Sequence, residues 1–203
     1  MKLIGMLDSP YVRRVAICAK HLGIHLEHQS VSVFRHFEQF QQINPVVKAP
    51  TLVLDDGEVL MDSTLIIDYL ETLAPPGKSL MPDDLKQRLR ALRVTGLALA
   101  ACEKSVQLYY ERSLRPAEIQ FQPWVERVEG QLAAAYSALE RELQKQPLVN
   151  GELIAQDGIT LAVAWSFTNL VVPEQVDAEH FPRIAEFTAQ AETLEAFIST
   201  PIT

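Results

Sequence analysis

Every strand signal in this chain lies before residue 62, and everything beyond a proline-rich connector keeps a helical period. That segregation constrains the fold more than composition does, because strands mixed with helices, then helices alone, imply two differently built parts. Lys2-Leu3-Ile4-Gly5-Met6 reads as a short buried strand. Val12, Val15, Ala16, Ala19 and Leu22 fall on one helical face, and Gly23 is placed to end that helix. Ile24, Leu26, Val31 and Val33 alternate, predicting a second strand across Ile24 to Val33, parallel to the first in a βαβ unit of about thirty residues. Phe34 to Ile43 carries no clear period. Thr51-Leu52-Val53-Leu54, Asp55-Asp56-Gly57 and Glu58-Val59-Leu60-Met61 predict a hairpin closing on Asp-Gly. Leu65, Ile66, Tyr69, Leu70 and Leu73 mark an amphipathic helix with Asp62 and Ser63 as candidate caps.

The connector, Ala74-Pro75-Pro76-Gly77-Lys78-Ser79 with Met81-Pro82-Asp83-Asp84, marks a domain boundary. We expect a domain over 1–75, a linker over 76–83 and a helical domain over 84–203. Leu85, Leu89, Leu92, Gly96 and Leu99 keep a helical period, as do Val125, Val128, Leu132, Tyr136, Leu139 and Leu143. The apolar run Ile159 to Val172 predicts a helix buried on all sides and capped by Thr160, and Phe181-Pro182 to Ile198 predicts one or two more helices.

With 203 residues, 48% of them hydrophobic, the chain can bury a substantial core. A net charge of −8 and the lack of any basic run argue against nucleic acid as a partner. The N-terminal apolar stretch is too short for a signal peptide, and no eighteen-residue apolar run follows, so no membrane partner is expected. Cys18 and Cys102 are far apart and form no CxxC, which argues against a zinc or dithiol site. A soluble cytoplasmic protein fits these bounds.

Ser9-Pro10-Tyr11-Val12-Arg13-Arg14-Val15 carries the clearest functional signal. A hydroxyl there precedes a helix whose first residue is proline, where open N–H groups and the helix dipole favour an anion. Ser9 is equally suited to serve only as an N-cap.

This stretch, Asn44-Pro45-Val46-Val47-Lys48-Ala49-Pro50-Thr51-Leu52 and Asp62-Ser63-Thr64-Leu65-Ile66-Ile67-Asp68-Tyr69-Leu70 together resemble the cytosolic glutathione transferase superfamily, most nearly its small bacterial members. The resemblance covers essentially the whole chain. It implies an α/β thioredoxin-like domain (βαβ-ββα, a mixed four-stranded sheet) followed by an all-α domain. It implies a cis Ala49–Pro50 bond that leaves the Ala49 main chain open to the cysteinyl unit of glutathione. Ser63 would meet the γ-glutamyl carboxylate, and Asp62, where the family usually has Glu or Gln, the γ-glutamyl ammonium. Lys48 would approach the glycyl carboxylate. Ser9 would donate a hydrogen bond to the glutathione thiolate. Lowering a thiol pKa of about 8.5 by about two units takes roughly 2.7 kcal/mol, which one charge-assisted bond and a helix N-terminus can supply. The tyrosine of other classes has no counterpart, since Gly5 and Met6 stand there, and no cysteine replaces Ser9.

The family's Ser/Thr-x-x-Asp capping box is half made here, with Thr160 present and Val163 in the Asp position. The electrophile pocket would draw on Tyr109, Tyr110 and Arg112, with Trp165 as a further candidate. The implied activity is conjugation of glutathione to small apolar electrophiles, a detoxification chemistry, by a homodimer. Glutathione would be the co-substrate, with no other cofactor and no metal. Two alternatives are a non-catalytic glutathione- or protein-binding relative of the stringent starvation protein type, and a glutathione-dependent reductase or dehalogenase.

Overall fold

Four three-residue strands build a mixed sheet in the first sixty-one residues: β1 (Lys2–Ile4), β2 (Glu27–Gln29), β3 (Thr51–Val53) and β4 (Val59–Met61). Their order is β2-β1-β3-β4, with β1 parallel to β2 and antiparallel to β3, and β3 antiparallel to β4. The computed structural model describes residues 1–148 and 154–202, so residues 149–153 and 203 of the expected helical domain lie outside the described residues. The chain divides into one unit of Met1–Leu80 with Leu194–Thr203 and another of Met81–Thr193.

In the first unit, α1 (Pro10–Leu22) buries Val12, Val15, Ala19 and Leu22 as the period requires, leaves Ala16 half-buried, and also buries Arg13 and Arg14. Gly23 ends it in the left-handed region at φ 73°, donating to Lys20 O at 3.1 Å while Ile24 N reaches Ala19 O at 2.8 Å. The second strand is much shorter than the alternation predicted. Beyond Gln29 the Ser32 hydroxyl accepts from Phe34 N (3.3 Å) and Arg35 N (3.1 Å), a local turn that ends extended pairing. Val31 instead packs with Ile4 and Phe40. Phe34 to Ile43 contains α2 (Phe37–Ile43), whose one buried residue is Phe40, which explains why no period was visible. The hairpin forms as read, with Leu52 opposite both Leu3 and Leu60, and leads into α3 (Ser63–Leu73).

The second unit contains α4 (Leu85–Tyr109), a π-helical turn (Tyr110–Leu114), α5 (Gln122–Lys145), α6 (Gln156–Val171) and α7 (Pro182–Ala191). α5 buries all six residues of its predicted stripe. α4 does not present its leucines inward: Leu85, Leu89 and Leu92 are 81%, 68% and 55% exposed. Gly96 is exposed and Leu99 half-buried. The buried face of α4 is Ala91, Val94, Thr95, Ala98, Ala101, Cys102, Ser105 and Leu108, mostly small side chains that let α4 pack closely against α5 and α6.

α6 is buried almost all round, as its composition predicted. Thr160, however, is not its cap. The helix starts one turn earlier, and the Thr160 hydroxyl donates back to Gln156 O at 2.7 Å. Asp157 sits in the first turn, where a carboxylate is favoured by the dipole, and accepts from Gly158 N at 2.9 Å. Trp165 is 7% exposed and packs edge-on to Tyr136, with ring centroids 5.2 Å apart, so it is a core residue. Buried Tyr136 bonds Thr168 Oγ1 (2.6 Å) and donates to Ala164 O (3.1 Å), and Thr168 Oγ1 also bonds Ser105 Oγ (2.7 Å). At the start of α7 the buried Glu140 carboxylate accepts from Arg183 N and Ile184 N, each at 3.1 Å, supplying from α5 the cap that Phe181 lacks.

The last helix, α8 (Glu195–Ile198), returns to the first unit, so Leu194–Thr203 do not fall with the helical part in which the sequence reading put them. It packs on α1: Arg13 Nε donates to Thr200 O at 2.8 Å, and the Arg13 guanidinium lies 5.5 Å from the Phe197 ring centroid. No helix among the described residues is long and apolar enough to cross a membrane.

Candidate functional site

Strand register gathers the three sequence motifs at one end of the sheet. Ile4, the last residue of β1, pairs with Thr51, and Thr51 pairs with Met61, the last residue of β4. The segment from Gly5 to Ser9, the segment from Lys48 to Pro50 and the pair Asp62–Ser63 therefore leave the sheet at the same edge.

Ser9 occupies the N-cap position of α1 with φ −70° and ψ 121°, yet its side chain makes no cap hydrogen bond. Its carbonyl, not its hydroxyl, serves the helix, accepting from Val12 N (3.1 Å) and Arg13 N (3.0 Å). The hydroxyl is half-buried and has no hydrogen-bond partner among the described residues. Beside it, burial holds the Asp8 carboxyl above the ordinary carboxylate range, opposed by the Ser9 N–H and the Arg35 charge. Gly5, at φ 136°, has no room for a side chain: a Cβ there would lie 2.6 Å from Val12 Cγ2 and 3.2 Å from Ala49 Cβ. That crowding excludes a tyrosine at this position.

The Ala49–Pro50 bond is cis. The main-chain N–H and C=O of Ala49 make no hydrogen bond among the described residues. Asn44 braces this loop. Its Nδ2 donates to Thr51 Oγ1 (2.9 Å) and its Oδ1 accepts from Val46 N (3.0 Å), while Thr51 Oγ1 donates to Lys48 O (2.7 Å). Asp62, at φ 73°, is the cap of α3, accepting from Thr64 N at 2.9 Å, and its other oxygen lies 3.8 Å from Lys48 Nζ. Ser63 is the first helical residue and is 3% exposed. Its hydroxyl accepts from Arg14 Nη1 at 3.0 Å, and the same nitrogen reaches Thr64 Oγ1 at 3.2 Å.

Arg14 and Asn44 are the residues that sequence reasoning left without a role. The available signal for Arg14 was its place between Val12 and Val15, inside the buried stripe of α1, where an arginine stays only if paired.

Of the residues expected to line an electrophile pocket, Tyr110 lines a cavity in the helical unit. This cavity, of about 450 Å³, is lined by Gln107, Tyr110, Glu111, Leu114, Arg115 and Trp124. Tyr109 does not line it and stacks at a tilt against Tyr110, with centroids 6.1 Å apart. Arg112 is turned to the carboxylates of Glu129 and Glu174. The π-turn, closed by Arg115 N to Tyr110 O at 3.1 Å, rotates successive side chains away from the α-helical spacing, so neighbours diverge. Glu111 inside the cavity pairs with Arg115 Nε at 2.8 Å and accepts from Phe121 N at 3.0 Å.

Among the described residues, no group of three His, Cys, Asp or Glu side chains is placed to hold a metal. Cys18 is no nucleophile either, since burial pushes its thiol up to about 12.

Residues 3–79 match the family model described as "Glutathione S-transferase, N-terminal domain". Glutathione S-transferase theta-2 of Rattus norvegicus is 31% identical, over 98% of this chain and 82% of its own length. The chain belongs to the glutathione transferase superfamily. Within that superfamily, the uncharacterized GST-like protein YibF of Escherichia coli K12 is 28% identical, over 92% of each chain. A glutathione transferase family member from Pseudomonas fluorescens Pf-5, solved with bound S-(propanoic acid)-glutathione, superposes with a TM-score of 0.82 at 27% identity, covering 98% of both chains. The mixed sheet followed by helices is thus the thioredoxin-like domain and helical domain of a glutathione transferase.

Proposed function

We propose that this protein is a serine-type glutathione transferase, in which Ser9 stabilises the glutathione thiolate for attack on a small apolar electrophile. One observation carries the reading: a hydroxyl stands at the N-terminus of α1, half-buried, and is not spent on capping. A scaffold protein has no need to hold a serine there with its proton undirected. The same Pseudomonas fluorescens family member has also been solved with bound glutathione, which supports glutathione as the ligand class.

Each part of the peptide finds a matching group at this sheet end. The open N–H and C=O of Ala49, next to the cis bond with Pro50, suit the cysteinyl main chain as a short β-like addition. Ser63 suits the γ-glutamyl carboxylate, Asp62 the ammonium and Lys48 the glycyl carboxylate. The Ser9 O–H then donates to sulfur, favouring the charged form that acts as nucleophile. In the chemical step the thiolate forms a C–S bond to the electrophilic carbon while the leaving group departs with the electron pair of its own bond. The apolar wall of Tyr110, Leu114 and Trp124 in the helical unit suits a small apolar electrophile. The outward leucines of α4 suit a second copy of the chain in a homodimer, and a cytoplasmic location fits this chemistry.

Calorimetric titration with glutathione, followed by ultraviolet absorbance of the bound thiolate at neutral pH, tests the reading. Binding with a thiolate signal that Ser9→Ala removes is the expected result. Absence of binding at millimolar glutathione would return the protein to the scaffold class.

A further inference from the structure

We propose that the cavity of the helical unit takes a ligand whose apolar body ends in a carboxylate, held by the guanidinium of Arg115. The inference rests on the transferase reading above only in making that ligand the electrophile; the binding chemistry follows from the cavity itself. Its walls at Tyr110, Leu114 and Trp124 are apolar or aromatic, and its volume of about 450 Å³ suits a small molecule.

The polar groups of the cavity are unequally engaged. Gln107 donates to Glu103 Oε1 at 2.8 Å and accepts from Lys104 Nζ at 3.4 Å. Glu111, with a side chain only 7% exposed, spends Oε1 on Phe121 N (3.0 Å) and Oε2 on Arg115 Nε (2.8 Å). Arg115 Nη1 and Nη2, and Trp124 Nε1, have no partner among the described residues. All three can only donate, so a ligand must bring acceptors to them.

A guanidinium free to swing would be an ordinary solvated charge. This one is anchored at Nε by a buried carboxylate that Phe121 N holds in turn. Anchoring through Nε leaves the opposite edge, with its two parallel N–H groups, for a second carboxylate in the bidentate geometry. Glu111 repels that second carboxylate, but its charge is already met by Arg115 and by the Phe121 N–H. The Arg115 side chain is half-exposed, so the preference for an anion is modest and salt-dependent.

The test pairs 4-chloro-3-nitrobenzoate with 4-chloro-3-nitrobenzamide, which differ only in the charge of one substituent. In conjugation the glutathione sulfur bonds the ring carbon that bears chlorine, and chloride leaves with the electron pair of its own bond. Calorimetry without glutathione should show wild type binding the acid about threefold to tenfold more tightly than the amide. Arg115→Gln should bring the two within about twofold, and should lower the acid-to-amide ratio of kcat/KM by the same factor as it lowers the binding ratio. That ratio cancels the different intrinsic reactivities of the two rings. Equal binding of acid and amide by wild type overturns the inference, as does an acid preference that survives in Arg115→Gln. If Arg115→Gln does not fold, wild type decides through salt: raising it from about 0.05 M to about 0.5 M should shrink the acid preference, and an unchanged preference refutes an ionic contact. Acid binding that depends on Arg115, with neither compound conjugated, would keep the site and sink the transferase reading. Conjugation of both compounds with a ratio that Arg115→Gln leaves unchanged would sink this inference and leave that reading standing.

Discussion

Replacing Ser9 with alanine separates two quantities that usually change together. An N-cap serine whose side chain bonds the helix costs about 1 kcal/mol when truncated, which in a chain of this size lowers Tm by about 2–4 °C. Here the hydroxyl makes no cap bond and the Ser9 carbonyl does the work at Val12 and Arg13, so Ser9→Ala should leave Tm within about 1 °C. The thiol should respond instead. If Ser9 and the helix terminus together lower the bound thiol from about 8.5 to about 6.5, half of it is thiolate at pH 6.5, against about one part in a hundred without that help. Loss of the full shift would thus remove roughly fifty-fold of the nucleophile at pH 6.5. The higher-pKa thiolate is intrinsically several-fold more reactive, so the net drop in rate is nearer to tenfold. Above about pH 9 both forms are ionised and the variant should match or exceed wild type. The assay is the pH–rate profile of conjugation to a generic aryl halide at saturating glutathione, beside a thermal melt. A Tm loss of several degrees with an unshifted profile would refute the reasoning, because it would make Ser9 a cap and nothing more.

Glu140→Ala should destabilise the protein by about 3 kcal/mol in urea titrations, since it strips two N–H groups at the start of α7 of a buried carboxylate; Glu140→Gln, which keeps an acceptor, should cost less. Thr168→Val leaves the Ser105 and Tyr136 hydroxyls each short of one bond in the helical core and should cost about 1–3 kcal/mol, with glutathione binding unchanged. Burial and the nearby Lys78 charge hold His21 below its ordinary value of 6.5. The unfolded chain therefore takes up this proton first as pH falls, and stability should decline below pH 6.5 until the depressed folded value is passed. His21→Phe should flatten that part of a stability–pH curve measured in urea.

What the sequence made legible follows the size and placement of its apolar residues. The hairpin was readable because Asp56-Gly57 separates two apolar runs, and α5 because the six apolar residues of its helical stripe all face inward. α4 was misread for the opposite reason. Its buried face is built from alanines and other small residues, whereas the leucines that dominate a periodicity count lie on the outer face. β2 has no buried residue, so the apolar residues on either side of it gave a strand that was too long. At the candidate site, proline, serine and aspartate carry local backbone signatures, and Ser9, Pro50 and Asp62 stand out through them. Arg14 carries no such signature, and its partner Ser63 lies 49 residues away, so its place inside the buried stripe of α1 is the signal that local spacing offers. The pairing of Arg112 with Glu129 and Glu174 was not legible, because a π-turn changes the angular step that spacing arguments assume.

The return of α8 to α1 orders events during synthesis. Arg13 is buried against Phe197 and Thr200, residues translated only after the whole of Met81–Thr193. While the ribosome makes the helical unit, the sheet unit already has its four strands, α1 and α3, but not the carbonyl and ring that complete the surroundings of that guanidinium. Domains generally mature from the N-terminus as they emerge. This one is closed by residues that follow the whole helical unit, so any chain released before position 194 leaves a buried-site cation open to water on the back of the helix that Ser9 begins.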